Sequence, residues 1–383
     1  MPHVSADRWL TRAHRALVAE FVVLGAIDGV WVARLPALKH RLALDDGRLG
    51  VIIFMVTFVA MLALPFAGWL TAHRGSRGSL GLALGLASAM LGVAAFAPTF
   101  GSLIAVTVGL GVGLGASDVA LNAHGVELER RIGRTLLSPL HAAWSFGLLG
   151  GSALTTISAA AGIGVRVEMP TAGAAFALIL AFAVPQLLSG TAAGAENSRF
   201  ALPRGHLALP AALMFCGLFV EFAAMNWSAV FLNGPAGASP AVAAGAVVAY
   251  AAAMGAARLF GDRALRSWGI GGLAQRSGIV SFAGIVLAIA TRSPAPALVG
   301  FALVGIGCAA IVPALFRVGG SVPGVAQGAG IAAVATAGYL GGLCNGPAIG
   351  FLARAVGLSG ALGLVGVAAA VIAVFGPRLG SRA

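Results

Sequence analysis

Residues 49–71 read LGVIIFMVTFVAMLALPFAGWLT, twenty-three positions without one ionisable side chain. A bilayer core about 30 Å thick is crossed by roughly 20 apolar residues of α-helix, so this stretch is long enough to span one. Lipid offers no partner for backbone N–H and C=O groups, and only helices and closed barrels cross it. Barrel strands alternate apolar and polar positions over short segments; here the apolar run is continuous, which predicts a helix. Eleven further runs of the same kind lie at about 16–38, 78–97, 99–122, 137–162, 170–190, 207–232, 240–260, 277–292, 295–317, 327–353 and 357–377. The whole chain of 383 residues is 59% hydrophobic and 9% charged, with a mean hydropathy of +0.96. A soluble domain carries roughly 25% charged residues, so this chain cannot cover a water-facing surface. The fold class expected is an all-α integral membrane protein of twelve transmembrane helices.

Most of the 56 glycines lie inside the apolar runs, where small residues let membrane helices approach closely. The formal charge of +12 comes from arginines placed between runs rather than on one basic face, which argues against nucleic acid as a partner. About 17 basic residues fall on the side of the two termini and about 6 on the other, so both termini are expected in the cytoplasm of a bacterial inner membrane. Cys216, Cys308 and Cys344 sit within apolar runs without metal-ligand spacing and are read as small hydrophobes. The basic N-terminus (Arg8, Arg12, Arg15) precedes an apolar stretch interrupted by Glu20 and Asp28, with no small-residue cleavage site, so it is read as a retained first helix. The longest polar connection, 191–206, divides a six-helix bundle at 1–190 from another at 207–383. Shifting the second half back by 193 residues sets Glu221 on Asp28 and Gly261 on Gly68, as duplicated transporter halves would.

The connection after the second run, Gly68-Trp-Leu-Thr-Ala-His-Arg74-Gly75-Ser-Arg77, resembles the signature loop of the major facilitator superfamily, with Ala72 at the position of the usual acid. Its counterpart in the second half is Arg258-Leu-Phe-Gly261-Asp262-Arg263. Asn122-Ala-His-Gly-Val-Glu127-Leu-Glu129-Arg130-Arg131 and Leu140-His141-Ala-Ala-Trp144-Ser145-Phe-Gly147 resemble the fourth-to-fifth helix region of rhizopine-transport-like permeases, a branch related to the fucose–proton symporters. Arg34-Leu-Pro36, Trp227-Ser228 after Glu221, Gly338-Tyr339-Leu and Gly346-Pro347 fit the same branch, with Asn226 standing where an aspartate is expected and Asn345 where the branch is apolar. The resemblance covers essentially the whole chain. It implies two pseudo-symmetric six-helix bundles, a central cavity lined by helices 1, 4, 7 and 10, a monomer, and cytoplasmic charge clusters that hold one face closed. Those clusters would be built from Arg74, Arg77, Glu127, Arg130, Arg131, Arg258, Asp262 and Arg263.

An ionisable side chain at membrane depth costs roughly 2.5–3.5 kcal/mol on insertion scales, so such residues face a cavity or pair with one another. Asp28, Asp118 and Glu221 fall on the helices that the resemblance assigns to the cavity, as a proton-coupled site requires. A low dielectric favours the neutral form of a carboxyl, which lets one bind a proton outside and release it inside. Asp118 and Asn122 share one helical face at i, i+4 and resemble the acid-x-x-x-asparagine of fucose-type permeases. Asp118 is the first candidate for coupling, then Glu221. Structural readings stand beside these: Asp118 as a cap on a break in a Gly-rich helix or as half of a structural pair, Asp28 as a partner of Arg34 or of another helix that only fixes packing, and His124 and His141 as helix-end hydrogen bonders. Trp144, Tyr339 and Asn345 suit hydroxyl-rich solutes, and Asn122, His141, Asn226 and Trp227 complete the candidate solute site.

Run 11 carries Gly341-x4-Gly346-Pro347-x2-Gly350, the letters of an exporter motif that belongs on the fifth helix, and is read as bending and close packing. P-loop, nucleophile elbow and metal-ligand spacing are all missing from the sequence, so no enzyme, cofactor or metal is expected. The function expected is secondary active transport of a small polar solute, a sugar, polyol or related compound, by proton symport through alternating access. Proton-driven efflux of a drug or metabolite and a non-transporting membrane sensor are the alternatives.

Overall fold

The computed structural model describes residues 2–133, 136–188, 205–322, 325 and 327–382. Twelve α-helices follow in order: α1 Pro2–Arg41, α2 Asp46–Ala94, α3 Phe100–Ile132, α4 Leu137–Ala160, α5 Val165–Ala183, α6 Ala208–Asn233, α7 Pro240–Arg258, α8 Gly261–Thr291, α9 Pro294–Cys308, α10 Ile311–Gly319, α11 Gln327–Ala361 and α12 Gly363–Phe375. Ten segments among the described residues are long and apolar enough to cross a membrane. The segments α4 and α11 are not among the ten, but at 24 and 35 residues each has the length of a crossing.

Helices and crossings match in number but not one to one. Runs 2 and 3 form the single element α2, in which Gly75 interrupts the helix at φ 76°, ψ 156°. A side chain rarely adopts that conformation, and glycine reaches it without a Cβ clash. Gly269 plays the same part in α8 at φ 64°, ψ 174°, within one residue of the 193-residue offset between the halves. Run 10 is split into α9 and α10. Pro313 has no N–H to offer the Ala309 carbonyl and its ring clashes there, which accounts for the break. Helix α3 is capped at both ends. Thr99 and Ser102 make a reciprocal capping box at the start of α3, and Gly133 closes it in the left-handed region.

The chain forms two compact units, Met1–Leu42 with Met55–Glu196, and Ala43–Phe54 with Asn197–Ala383. The linker expected at 191–206 lies, apart from Gly205 and His206, outside the described residues. In the first unit α1 packs along α4 with the backbones touching. A Cβ at Gly25 or Gly29 would strike the backbone of α4, and one at Gly147 or Gly151 would strike α1. Each pair has the GxxxG spacing that lets membrane helices meet closely. Beyond this seam Arg34 of α1 pairs with Glu168 of α5, Thr155 of α4 donates to the same carboxylate at 2.6 Å, and Arg34 also donates to the Ile163 carbonyl at 2.8 Å. Arg34 therefore meets Glu168 and not Asp28, because the pairing runs across helices.

In the second unit α6 packs on α11, α7 on α9, and α8 on α9 and α12. Leu213, Met214, Leu218, Ile311, Leu315, Val334 and Ile372 form one buried apolar cluster there. Segment 43–54 belongs to this unit although it opens α2, because a Cβ on Gly350 of α11 would come within 2.9 Å of the Gly50 Cα. Gly341 presses equally closely on the Phe215 backbone, so the glycines of run 11 work in close packing.

Candidate functional site

The α1–α4 seam sets up the polar site of the first unit. With Gly25 and Gly29 flush against α4, the Trp144 indole reaches across and donates from Nε1 to Asp28 Oδ2 at 3.1 Å. On α3, Asn122 donates to Asp118 Oδ1 at 3.1 Å and to the Asp118 carbonyl at 2.8 Å. The Asp118 charge is the smallest of the influences on Asp28, and His141 acts electrostatically on Asp118. Phe21 of α1 meets the His141 ring edge-on at 5.6 Å. The first unit thus draws Asp28, Asp118, Asn122, His141 and Trp144 together from three helices. Asp118 and His141 are exposed, and Asp28, Asn122 and Trp144 half-buried. Reachable carboxyls beside a tryptophan and an amide can exchange a proton and hydrogen-bond a polar solute.

The second unit places its candidates differently. Glu221 Oε1 stands 3.5 Å from Arg258 Nη2, while Glu221 Oε2 is buried without a hydrogen-bond partner among the described residues. The Tyr250 hydroxyl donates to the Glu221 carbonyl at 3.3 Å. Asn226 turns to Asn345 of α11 at 3.4 Å, and Asn345 donates to the Gly342 carbonyl. Both asparagines and Trp227 are buried, with the Trp227 Nε1 unpartnered among the described residues. Tyr339 is 43% exposed.

The charge clusters are largely local. Glu127 takes Arg130 at 2.9 Å and Arg131 at 2.7 Å, both on its own helix. Glu129 accepts from the backbone N–H of Leu136 and Leu137, capping the start of α4. Asp262 pairs with Arg317 at 2.8 Å, and Arg258 reaches Glu221 rather than sitting in that pair. Arg74 and Arg263 are exposed and Arg77 half-buried. His124 is fully buried; its Nε2 accepts from Leu188 N–H at 3.3 Å, which leaves Nδ1–H to donate to Ser76 Oγ at 2.7 Å.

Two further acids outside the candidate site are buried, one paired and, among the described residues, one not. Glu168 holds Arg34, and an acid just outside an apolar run facing an arginine inside another is the signal that would have found it. Glu20 is fully buried with both carboxyl oxygens unpartnered among the described residues. A polar group so placed is costly to bury, and none of the described residues offsets that cost. Among the described residues no group of three or more His, Cys, Asp or Glu side chains is arranged to hold a metal ion.

No family model matches the chain. An uncharacterised MFS-type transporter of Yersinia pestis is 30% identical over 345 residues, 90% of each chain. An uncharacterised transporter of Sinorhizobium fredii is 30% identical over 97% of this chain and 99% of its own, and membrane protein MosC of Rhizobium meliloti is 29% identical over 95% and 90%. Among solved structures, a single-residue variant of the nucleoside transporter NupG superposes with a TM-score of 0.76 at 13% identity, covering 96% of this chain and 99% of that one. A D-xylose–proton symporter superposes at 0.74 and 13% identity over 96% and 98%. These two show the fold, and the relative at 30% identity across nine-tenths of both chains shows the family. Two helical units in which ten of the described segments are long and apolar enough to span a bilayer, with acids inside the apolar runs, agree with it: the chain belongs to the major facilitator superfamily and is a membrane transporter, not an enzyme.

Proposed function

We propose that the chain moves a small polar solute, a sugar, polyol or related compound, across the bacterial inner membrane in symport with protons, by alternating access and as a monomer. The observation that carries this reading is the first unit's polar face. Two carboxyls, Asp28 on α1 and Asp118 on α3, are each tied to a neutral donor, Trp144 and Asn122. Protonating a carboxyl in a low-dielectric site removes a charge that is costly to keep there, so either acid can take up the driving proton. A solute rich in hydroxyls can then hydrogen-bond the neutral acid, the amide and the indole face together, so proton and solute are loaded at one place. Glu221, set against Arg258, is the second candidate for coupling. The named solutes of the structural relatives, a nucleoside and D-xylose, are hydroxyl-rich and support the same class.

The test is Asp118→Asn in proteoliposomes, with solutes found first by a thermal-shift screen of sugars, polyols and common drugs. A potential of 100 mV is worth about 2.3 kcal/mol per charge, so one proton per neutral solute drives roughly 50-fold accumulation in the wild type. The variant is expected to equilibrate the solute without accumulating it, while counterflow persists. Full accumulation by Asp118→Asn removes that residue from coupling. Proton-driven loss of a preloaded apolar cation would replace the importer reading with efflux, and binding without any flux would point to a sensor.

A further inference from the structure

Helices α8 and α12 enclose a lateral groove of about 390 Å³ in the second unit, and every residue lining it is apolar or glycine. Phe282 and Val286 of α8 face Val367, Ala370 and Phe375 of α12, with Gly366 opening the floor. The volume falls in the range of ligand clefts, about 300–1,000 Å³. An apolar groove alone does not name its occupant; the charge at one end of it does. Phe375 closes that end, and the Arg378 guanidinium lies 4.6 Å above its ring. A Cβ on Gly271 of α8 would come within 2.8 Å of the Pro377 carbonyl and 3.2 Å of the Gly380 nitrogen, so the start of the α8 crossing and the chain after α12 meet at this same end. Arg276 lies at a similar depth on the face of α8 turned away from α12, 4.7 Å over the Trp268 ring and donating to the Gly272 carbonyl at 3.1 Å. Trp268, Arg276, Phe375 and Arg378 are all exposed. Tryptophan and arginine side by side at a helix end mark the level of lipid headgroups.

The geometry points to a binding site for an anionic phospholipid, its acyl chain in the α8–α12 groove and its headgroup phosphate against Arg378. Guanidinium–phosphate pairs are charge-assisted and can be bidentate, whereas a zwitterionic lipid offsets that attraction with its own cation. An acyl chain fills the apolar groove without needing a polar partner. The site rests on the chain's crossing a membrane and is independent of which solute it carries.

The experiment compares thermal unfolding of the purified full chain in neutral detergent with added phosphatidylglycerol, phosphatidylcholine or water-soluble glycerol phosphate. Phosphatidylglycerol is expected to raise the midpoint by about 5 °C, with phosphatidylcholine and glycerol phosphate giving less than half of that. Ala370→Phe, which fills the groove, and Arg378→Gln, which removes the charge, are each expected to abolish at least half of the difference between the two lipids. Reading that difference within each variant removes any change in its own stability. Equal shifts with both lipids, a lipid difference unchanged in Ala370→Phe, or a full shift with glycerol phosphate would each overturn the site. So would a wild type that is dimeric and becomes monomeric in Ala370→Phe with no lipid-dependent shift, which would assign the groove to a second copy of the chain.

Discussion

Arg34 and Glu168 meet from positions 134 residues apart, both buried, with Thr155 as a third partner. Removing one member of such a pair leaves a charge with no compensation, at a cost of about 3–5 kcal/mol, whereas replacing both by apolar residues of similar volume is close to neutral. Glu168→Ala is therefore expected to lower the unfolding midpoint in detergent by several degrees. The double variant Arg34→Met, Glu168→Leu is expected to recover most of that loss. A single variant as stable as the wild type would show that the pair contributes nothing to the fold. At this scale the sequence is a good guide to which residues matter and a poor guide to what they touch. Asp28 and Asp118 stand out because an acid in an apolar run is conspicuous. The partner of Arg34 does not, since it depends on how α1, α4 and α5 pack. Asn226 and Trp227 look like cavity residues beside Glu221, yet the asparagine turns to Asn345 of α11 and the indole is buried.

The elements show the same division. Runs of about twenty apolar residues are visible without any structure because lipid enforces them; their ends are not. Helix α1 starts well before the expected position 16, and α2 continues through the signature loop with a single interruption at Gly75. Local backbone geometry decides both, and composition hardly registers it. The α1–α4 seam is the clearest case of an element built by what is missing. In lipid no hydrophobic force drives two helices together, so close van der Waals contact has to, and any side chain at the seam removes it. Gly151→Leu would drive its Cβ into the Ala26 backbone, while Gly150 next to it faces open space. The expected outcome is loss of monodisperse protein for Gly151→Leu and near wild-type yield for Gly150→Leu, measured by size-exclusion chromatography of a fluorescent fusion. Because Asp28 lies between Gly25 and Gly29, any Gly151 variant that survives should also have weakened transport. Equal yields for the two substitutions would show that the seam tolerates separation.

For the whole molecule, orientation is written in charge rather than in packing. The side of the termini carries about 17 basic residues and the other about 6, and a basic residue near an anionic membrane surface is worth roughly 1 kcal/mol. An asymmetry of that size is spread over several short connections, so no single loop decides it. It makes a prediction that the helix packing alone does not. Asp45, after α1, and Ser321, after α10, are separated by an odd number of crossings, because α2 holds two and α9 with α10 makes one. The two connections therefore lie on opposite sides of the membrane. In a background with Cys216, Cys308 and Cys344 replaced, Asp45→Cys is expected to react with a membrane-impermeant maleimide on intact cells. Ser321→Cys is expected to react only after the membrane is permeabilised. Labelling of both cysteines on intact cells would require an even number of crossings between them and would overturn the count. The reverse pattern would keep the count but put the termini outside, and with them Arg276 and Arg378 at the outer leaflet. The phospholipid site would then keep its chemistry on the other face, whereas proton-driven uptake would have to enter the solute site through the opposite opening. Charge fixes which of these two orientations the chain adopts, since a helix bundle packs identically in both.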